Sequence, residues 1–190
     1  MYNPAGIMLA NLRALFGVVI DIVLLRRGPE HLPASPALLA IVVVLYSVVT
    51  AVIANMVAKP DPRWPLILAF GVLGSILWYR VALQVAGKRE RFVQTMLGLF
   101  AVRLLFAPVL SPLATSVMLQ LQAQQTPPAL LQLMVLGLAG WWIAANGQVV
   151  KSAFEWPWIA AIAMVLIQEF ALVLGAAMVF GGEPQALEGT

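Results

Sequence analysis

The sequence predicts an all-α fold: a polytopic membrane helical bundle of five transmembrane helices, preceded by an amphipathic helix at the membrane interface. Three observations carry this expectation. From Leu104 to Val150 there is no acidic or basic residue. Only 10% of the 190 residues are charged while 62% are hydrophobic, and the mean hydropathy is +0.95. The apolar runs also reach the roughly 20 residues that a helix needs to cross a bilayer. A net charge of +3 does not point to nucleic acid, because the basic residues cluster at the ends of the apolar runs, where they set membrane orientation. The chain has no cysteine, which excludes disulfides, thiolate metal sites and cysteine nucleophiles.

Residues 1–35 are expected to form a cytoplasmic, interfacial segment. Within 7–25, Arg13, Gly17 and Asp21 are spaced i, i+4, i+8 and fall on one stripe of a helix, with Leu12, Leu15, Phe16, Val19, Ile22 and Val23 around the rest. That pattern suits a helix lying at the membrane surface. The rival is a sixth span, which would place Arg13 and Asp21 in lipid. A loop punctuated by Gly28, Pro29 and Pro33 follows, with Ser35 placed as an N-cap and Pro36 at the first helical position.

The transmembrane domain is expected at 36–180, with spans at 36–57, 65–86, 92–119, 129–150 and 157–180. The first is rich in Val and Ile, which would suit a strand in water. An open strand cannot satisfy its backbone in lipid, so helix wins. The second contains Arg80 and is followed by the basic loop Lys88-Arg89-Glu90-Arg91. The third contains Arg103 and, one turn apart, Pro108 and Pro112; these with Ser111 form a candidate helix break that would free backbone carbonyls to line a substrate site, or an ordinary kink healed by a Ser hydroxyl and neighbouring helices. The fourth lies within the charge-free stretch, and the fifth contains Glu169. Residues 181–190 form a tail.

Orientation follows from the Lys and Arg balance. Arg13, Arg26, Arg27, Lys88, Arg89, Arg91 and Lys151 fall on one side, against Lys59 and Arg63 on the other. This places the N-terminus in the cytoplasm and the C-terminus outside. Trp64, Trp156 and Trp158 fall at span ends, as interface anchors do. The Ala- and Leu-rich composition, short loops and lack of cysteine point to a bacterial inner membrane.

Arg80, Arg103 and Glu169 are the ionisable residues inside the spans. A charge at the bilayer centre costs about 2.5–3.5 kcal/mol on insertion scales, so such residues face the bundle and find partners. Arg103 and Glu169 lie on spans running the same way, each about 17 Å from the cytoplasmic edge at 1.5 Å rise per residue. They are therefore expected to pair. The pair reads as a staple between spans three and five, or alternatively as part of a proton or ion path. Arg80 is nearer the cytoplasmic end and within reach of the interface by snorkelling. Gly71 with Ser75, and Gly140 with Ala144, are small-xxx-small pairs that suit close helix packing or self-association.

His31, the one histidine, sits in a loop beside Glu30 and reads as solvated. No Gly-rich phosphate loop, Gly-x-Ser-x-Gly or His-Glu-x-x-His motif occurs, so no catalytic residue, cofactor or metal site is assigned and an enzyme is not expected. The expected partners are the lipid bilayer and other membrane proteins or a second copy of the chain, with no nucleic acid.

The Arg26-Arg27-Gly28-Pro29 stretch before the first span, with five tightly spaced spans and an outside C-terminus, resembles the Yip family, small membrane proteins that interact with Rab-type GTPases. Of the Asp-Leu-Tyr-Gly-Pro signature of eukaryotic members, only Gly28-Pro29 has an echo here. The resemblance implies a scaffold or organiser rather than a reaction. The function expected is accordingly a non-enzymatic scaffold or accessory subunit of a membrane complex. The alternative is a small transporter or channel component using Arg103, Glu169 and the proline-containing helix.

Overall fold

The computed structural model describes residues 15–56 and 62–181. The expected helical residues before 15, Arg13 and Lys59 among other positions, and the tail from 182 to 190 lie outside the described residues. Helix α1 covers residues 15–23. Five long helices follow: α2 (Pro36–Met56), α3 (Trp64–Val85), α4 (Phe92–Gln122), α5 (Ala129–Phe154) and α6 (Trp158–Phe180). Each of the five is long and apolar enough to cross a membrane, and no strand occurs among the described residues. The chain is thus an all-helical protein built for lipid.

Local chemistry sets the helix ends. At the start of α2 the Ser35 hydroxyl accepts a hydrogen bond from the Leu38 amide at 3.3 Å, just ahead of Pro36. Helix α4 runs three residues past its expected end, because Gln120 and Gln122 are good helix formers beyond the apolar stretch. Helix α5 continues four residues past Val150 to Phe154 and stops at Glu155, which adopts the left-handed conformation at φ 57°.

The end of α5 is held by the α3–α4 loop. Lys88 Nζ donates to the Phe154 carbonyl at 2.9 Å. Arg91 Nη1 donates to those of Ser152 and Ala153 at 3.1 and 3.2 Å. These are the carbonyls that a helix C-terminus leaves unsatisfied, and two cations also complement its dipole. Glu155 bridges Lys88 at 2.7 Å and Arg91 at 2.6 Å, and the hydrogen bond from Lys88 is the main reason its carboxyl titrates below the usual range. Arg80 is exposed near the same end, with its guanidinium 5.9 Å from the Phe92 ring centre. We refer to this as the basic end. At the far end, Arg63 donates to the Phe180 carbonyl and caps α6 in the same manner.

Helix α4 is the axis of the bundle. In its most apolar stretch 56% of residues are buried, against 6% in α2 and 11% in α5. It packs most extensively on α2 and α5, while α6 leans on α5 and α3. The backbones of α4 and α6 hardly approach one another. Glycines mark the tight crossings. A Cβ on Gly147 would stand 2.5 Å from Ile162 Cδ1 of α6, and one on Gly74 2.5 Å from Leu172 Cδ2 of α6. Of the small residues expected to serve close packing or self-association, Gly71 and Gly140 are not at crossings within the bundle: a Cβ at either meets nothing within 4 Å. A four-residue spacing places two small residues on one face without fixing which way that face is turned.

The N-terminal region also departs from a helix lying flat at the membrane surface. Val19, Ile22 and Val23 of α1 are buried. The helix ends in a Schellman turn: the Arg26 amide donates to the Asp21 carbonyl at 2.8 Å and that of Leu25 to Ile22 at 2.9 Å, with Leu25 at φ 62°. Arg27 Nε then reaches Asp21 Oδ2 at 3.1 Å. Trp141 Nε1 donates to the Val23 carbonyl at 2.8 Å. Trp141 lies 13 residues before Phe154, which puts the end of α1 about 20 Å up α5 from the basic end. From there the chain returns unwound. Gln148 Nε2 donates to the Arg27 carbonyl at 3.3 Å, and Gln94 Nε2 to that of Leu32 at 2.7 Å. Gly28 is pressed against Ser152, where a Cβ would overlap the Ser152 hydroxyl.

Two outcomes follow from this packing. Gly147→Leu should lower stability by about 1–3 kcal/mol through overpacking, whereas Gly140→Leu should leave the thermal melt in detergent unchanged; equal effects would contradict the crossing described. The depressed Glu155 carboxyl gives stability that is fully present above its unfolded value, about 4.3, and is lost as pH falls through the lower folded value. Wild type should therefore outlast Glu155→Gln near neutral pH and converge with it in acid, as read by melting across pH 3–7.

Candidate functional site

The candidate site is a polar network at mid-height of the bundle, where α3, α4 and α6 face one another. Residues 95–103 of α4 are all buried, so the Arg103 side chain has no route to the basic end along its own helix. Gly71, Ser75 and Tyr79 lie one turn apart on a single face of α3, and Gln168 and Glu169 are consecutive on α6.

Arg103 connects them. Its Nη2 lies 2.6 Å from Glu169 Oε1 and 3.4 Å from Gln168 Oε1, and its Nη1 donates to Ser75 Oγ at 2.8 Å. Ser75 in turn donates to the Gly71 carbonyl at 2.7 Å and accepts from Gln168 Nε2 at 3.2 Å. A hydroxyl has one proton and two lone pairs, so Ser75 is saturated. Gln168 Oε1 also accepts from Tyr79 OH at 3.2 Å. The guanidinium carbon stands 5.6 Å from the Phe100 ring centre. Arg103 and Glu169, expected to pair from their matching depth, are brought into direct contact.

The network is sealed on one side and open on the other. Toward the basic end lie the fully buried Tyr79, Leu83, Met96 and Phe100. Toward the far end opens a cleft of about 470 Å³ between α2, α3, α4 and α6, with Arg103 and Glu169 at its floor. Arg103 is 9% exposed by its side chain, whereas Glu169 is 31% exposed. The cleft walls include Tyr46, Phe70, Phe106 and Trp142, and Thr50, Gly71 and Ser111 contribute to the lining.

The expected helix break is corrected. Helix α4 continues through Pro108 and Pro112 to Gln122. Both prolines are exposed on the outer face of α4 and take no part in lining the cleft. Prolines one turn apart remove ladder bonds from one stripe only, and the rest of the ladder carries the helix on. Ser111 lines the cleft, while Ser116 Oγ donates to the Pro112 carbonyl at 2.8 Å. Ser75, expected as a packing residue, is a hinge of the polar network. Ala144 is half-buried on α5, away from the cleft.

Tyr79, Gln168 and Thr50 were not singled out by sequence. Tyr79 follows Ser75 by one turn and Gln168 stands next to the intramembrane Glu169, whereas nothing in the sequence marked Thr50. Thr50 Oγ1 is buried without a hydrogen-bond partner among the described residues, as are Trp78 Nε1 and Asn146 Oδ1. No group of three or more His, Asp or Glu side chains that could hold a metal occurs among the described residues. His31 is exposed, with Nδ1 3.4 Å from Glu30 Oε1. Comparison with protein-family models, curated proteins and solved structures returned no match.

Removing one member of a buried pair strands the other. Arg103→Met should destabilise the protein by about 3 kcal/mol, at the low end for a buried pair because Glu169 borders the open cleft. Glu169→Gln, which keeps an acceptor oxygen, should cost less. A double-mutant cycle in detergent should give a coupling of about 0.5–3 kcal/mol; strict additivity would show that the contact contributes nothing.

Proposed function

We propose that this integral membrane protein is a non-enzymatic scaffold or accessory subunit of a membrane complex, acting through helix–helix contacts. The observation that carries this reading is the contrast between a cross-linked interior and bare outer helices. Arg103, Ser75, Gln168 and Glu169 tie α3, α4 and α6 together. Helix α2 and the first half of α5, in contrast, turn many apolar side chains outward, among them Val44, Val48, Leu133 and Leu136. Such faces are covered by lipid or by the helices of a partner, and a rigid bundle presents them at fixed spacing. In this reading the Arg103–Glu169 pair is a staple, the basic end faces the cytoplasm of a bacterial cell, and the layout agrees with that of the Yip family.

A second reading, a small transporter or channel component, is favoured by one observation: the cleft reaches Glu169. The buried side chains on the basic side of Arg103 weigh against it, since they leave the cleft without a second opening toward the basic end among the described residues.

The absence of cysteine makes the test clean. Single cysteines at Val44 on α2 and Leu133 on α5 should give specific cross-links to a neighbouring protein in native membranes, and mass measurement in lipid nanodiscs should show a defined assembly. A lone monomer with no cross-linked neighbour would defeat the scaffold reading. Loss of a measured ion or proton flux in Glu169→Gln, with folding intact, would establish the transporter reading instead.

A further inference from the structure

The cleft above Arg103 is more than a packing defect. Its volume of about 470 Å³ falls in the range of small-molecule sites, about 300–1,000 Å³. Its shape follows from the architecture: α4 and α6 do not meet through their backbones, so the Arg103 side chain bridges a gap that stays open on the far side. The walls are apolar and aromatic, and a few polar groups converge at the floor.

Those groups define what would fit. Glu169 Oε1 is taken by Arg103, and no hydrogen bond reaches its Oε2 among the described residues. Thr50 lines the same cleft with its hydroxyl buried and unpartnered. It also lies at the same height. The Tyr46 ring packs on that of Phe100 with centres 5.6 Å apart; Thr50 follows Tyr46 by one turn, as Arg103 follows Phe100 by just under one. The floor therefore offers a carboxylate oxygen that accepts, while the Thr50 oxygen itself is closed off from the cleft.

Charge narrows the choice. Arg103 and Glu169 neutralise each other, so a charged guest would bring an unbalanced charge to mid-membrane, which is costly. Arg103 is enclosed and its guanidinium already serves Ser75, Gln168 and Glu169, so it has little to offer an anion. We infer that the cleft is a binding site for a neutral, lipid-soluble molecule carrying a hydroxyl group, which donates to Glu169 Oε2 while its apolar body lies along Phe70, Phe106 and Trp142. Both long-chain alcohols and alkylated hydroquinones have this chemistry. The site ends at the buried network, so it retains a guest rather than passing it through.

The test uses the full chain in phosphatidylcholine nanodiscs with a diazirine-bearing long-chain alcohol and its methyl ether, which differs by lacking the donor. After irradiation, adducts of the alcohol should map to Phe70, Leu110 or Leu172 in at least tenfold excess over those of the ether. Gly71→Leu puts a side chain into the cleft at a position where a Cβ meets nothing within 4 Å. It should reduce labelling at least tenfold while the thermal melt is unchanged or raised. Competition by unlabelled hexadecanol or by decyl hydroquinone identifies which source of the hydroxyl the site prefers; competition by neither overturns the proposal. Equal labelling by the ether would also overturn it, showing a groove for any acyl chain. So would labelling that persists in a well-folded Gly71→Leu variant.

Discussion

The bundle depends on one long side chain crossing a space that no backbone contact closes. Arg103 starts from the most enclosed helix and ends against Ser75 of α3 and Glu169 of α6. A guanidinium suits this task because it is planar, always charged and able to donate in several directions at once. Everything around it is arranged to complete its bonding: Ser75 uses its full capacity, Gln168 shares its oxygen between Arg103 and Tyr79, and Glu169 balances the charge. The same reach that holds α6 in place keeps the helices apart on the far side, so the staple and the cleft are two results of one geometry.

Lipid imposes a second constraint, that every backbone polar group at membrane depth must find a partner inside the protein. The unwound chain between α1 and α2 meets it with help from α4 and α5. Trp141, Gln148 and Gln94 donate to the carbonyls of Val23, Arg27 and Leu32. Three polar side chains that would be out of place on lipid-facing helices are thereby accounted for. The α3–α4 loop does the same for the end of α5 through Lys88 and Arg91. Polar residues in this protein serve mainly to complete main chain.

How much of this was legible in the sequence depends on how each feature is encoded. The five long helices were legible because hydropathy and length encode them directly. The meeting of Arg103 with Glu169 was legible because a helix has a fixed rise, so residue number gives depth. Ser75, Tyr79 and Gln168 were less so: they are neutral, and their importance comes from which face each helix turns inward. Helix rotation also misled the reading of glycines, since Gly74 and Gly147 sit at the tight crossings and Gly71 and Gly140 do not. Pro108 and Pro112 suggested a break on chemistry that holds for an isolated helix, but here they lie on an exposed stripe of one that continues to Gln122. The descent of residues 24–35 beside α5 had no local signature, because its partners lie on distant helices.

That last feature bears on how the chain is assembled. The Val23 and Arg27 carbonyls are completed by residues 118 and 121 positions later. While the chain is being made, the segment that leaves the ribosome early has no place in the hydrocarbon until α5 has been synthesised and inserted. It must wait in the watery boundary, where solvent serves its carbonyls, and settle into the bundle afterwards. The docking of α1 thus depends on a helix that follows it far along the chain, and it reports whether α5 has reached its place.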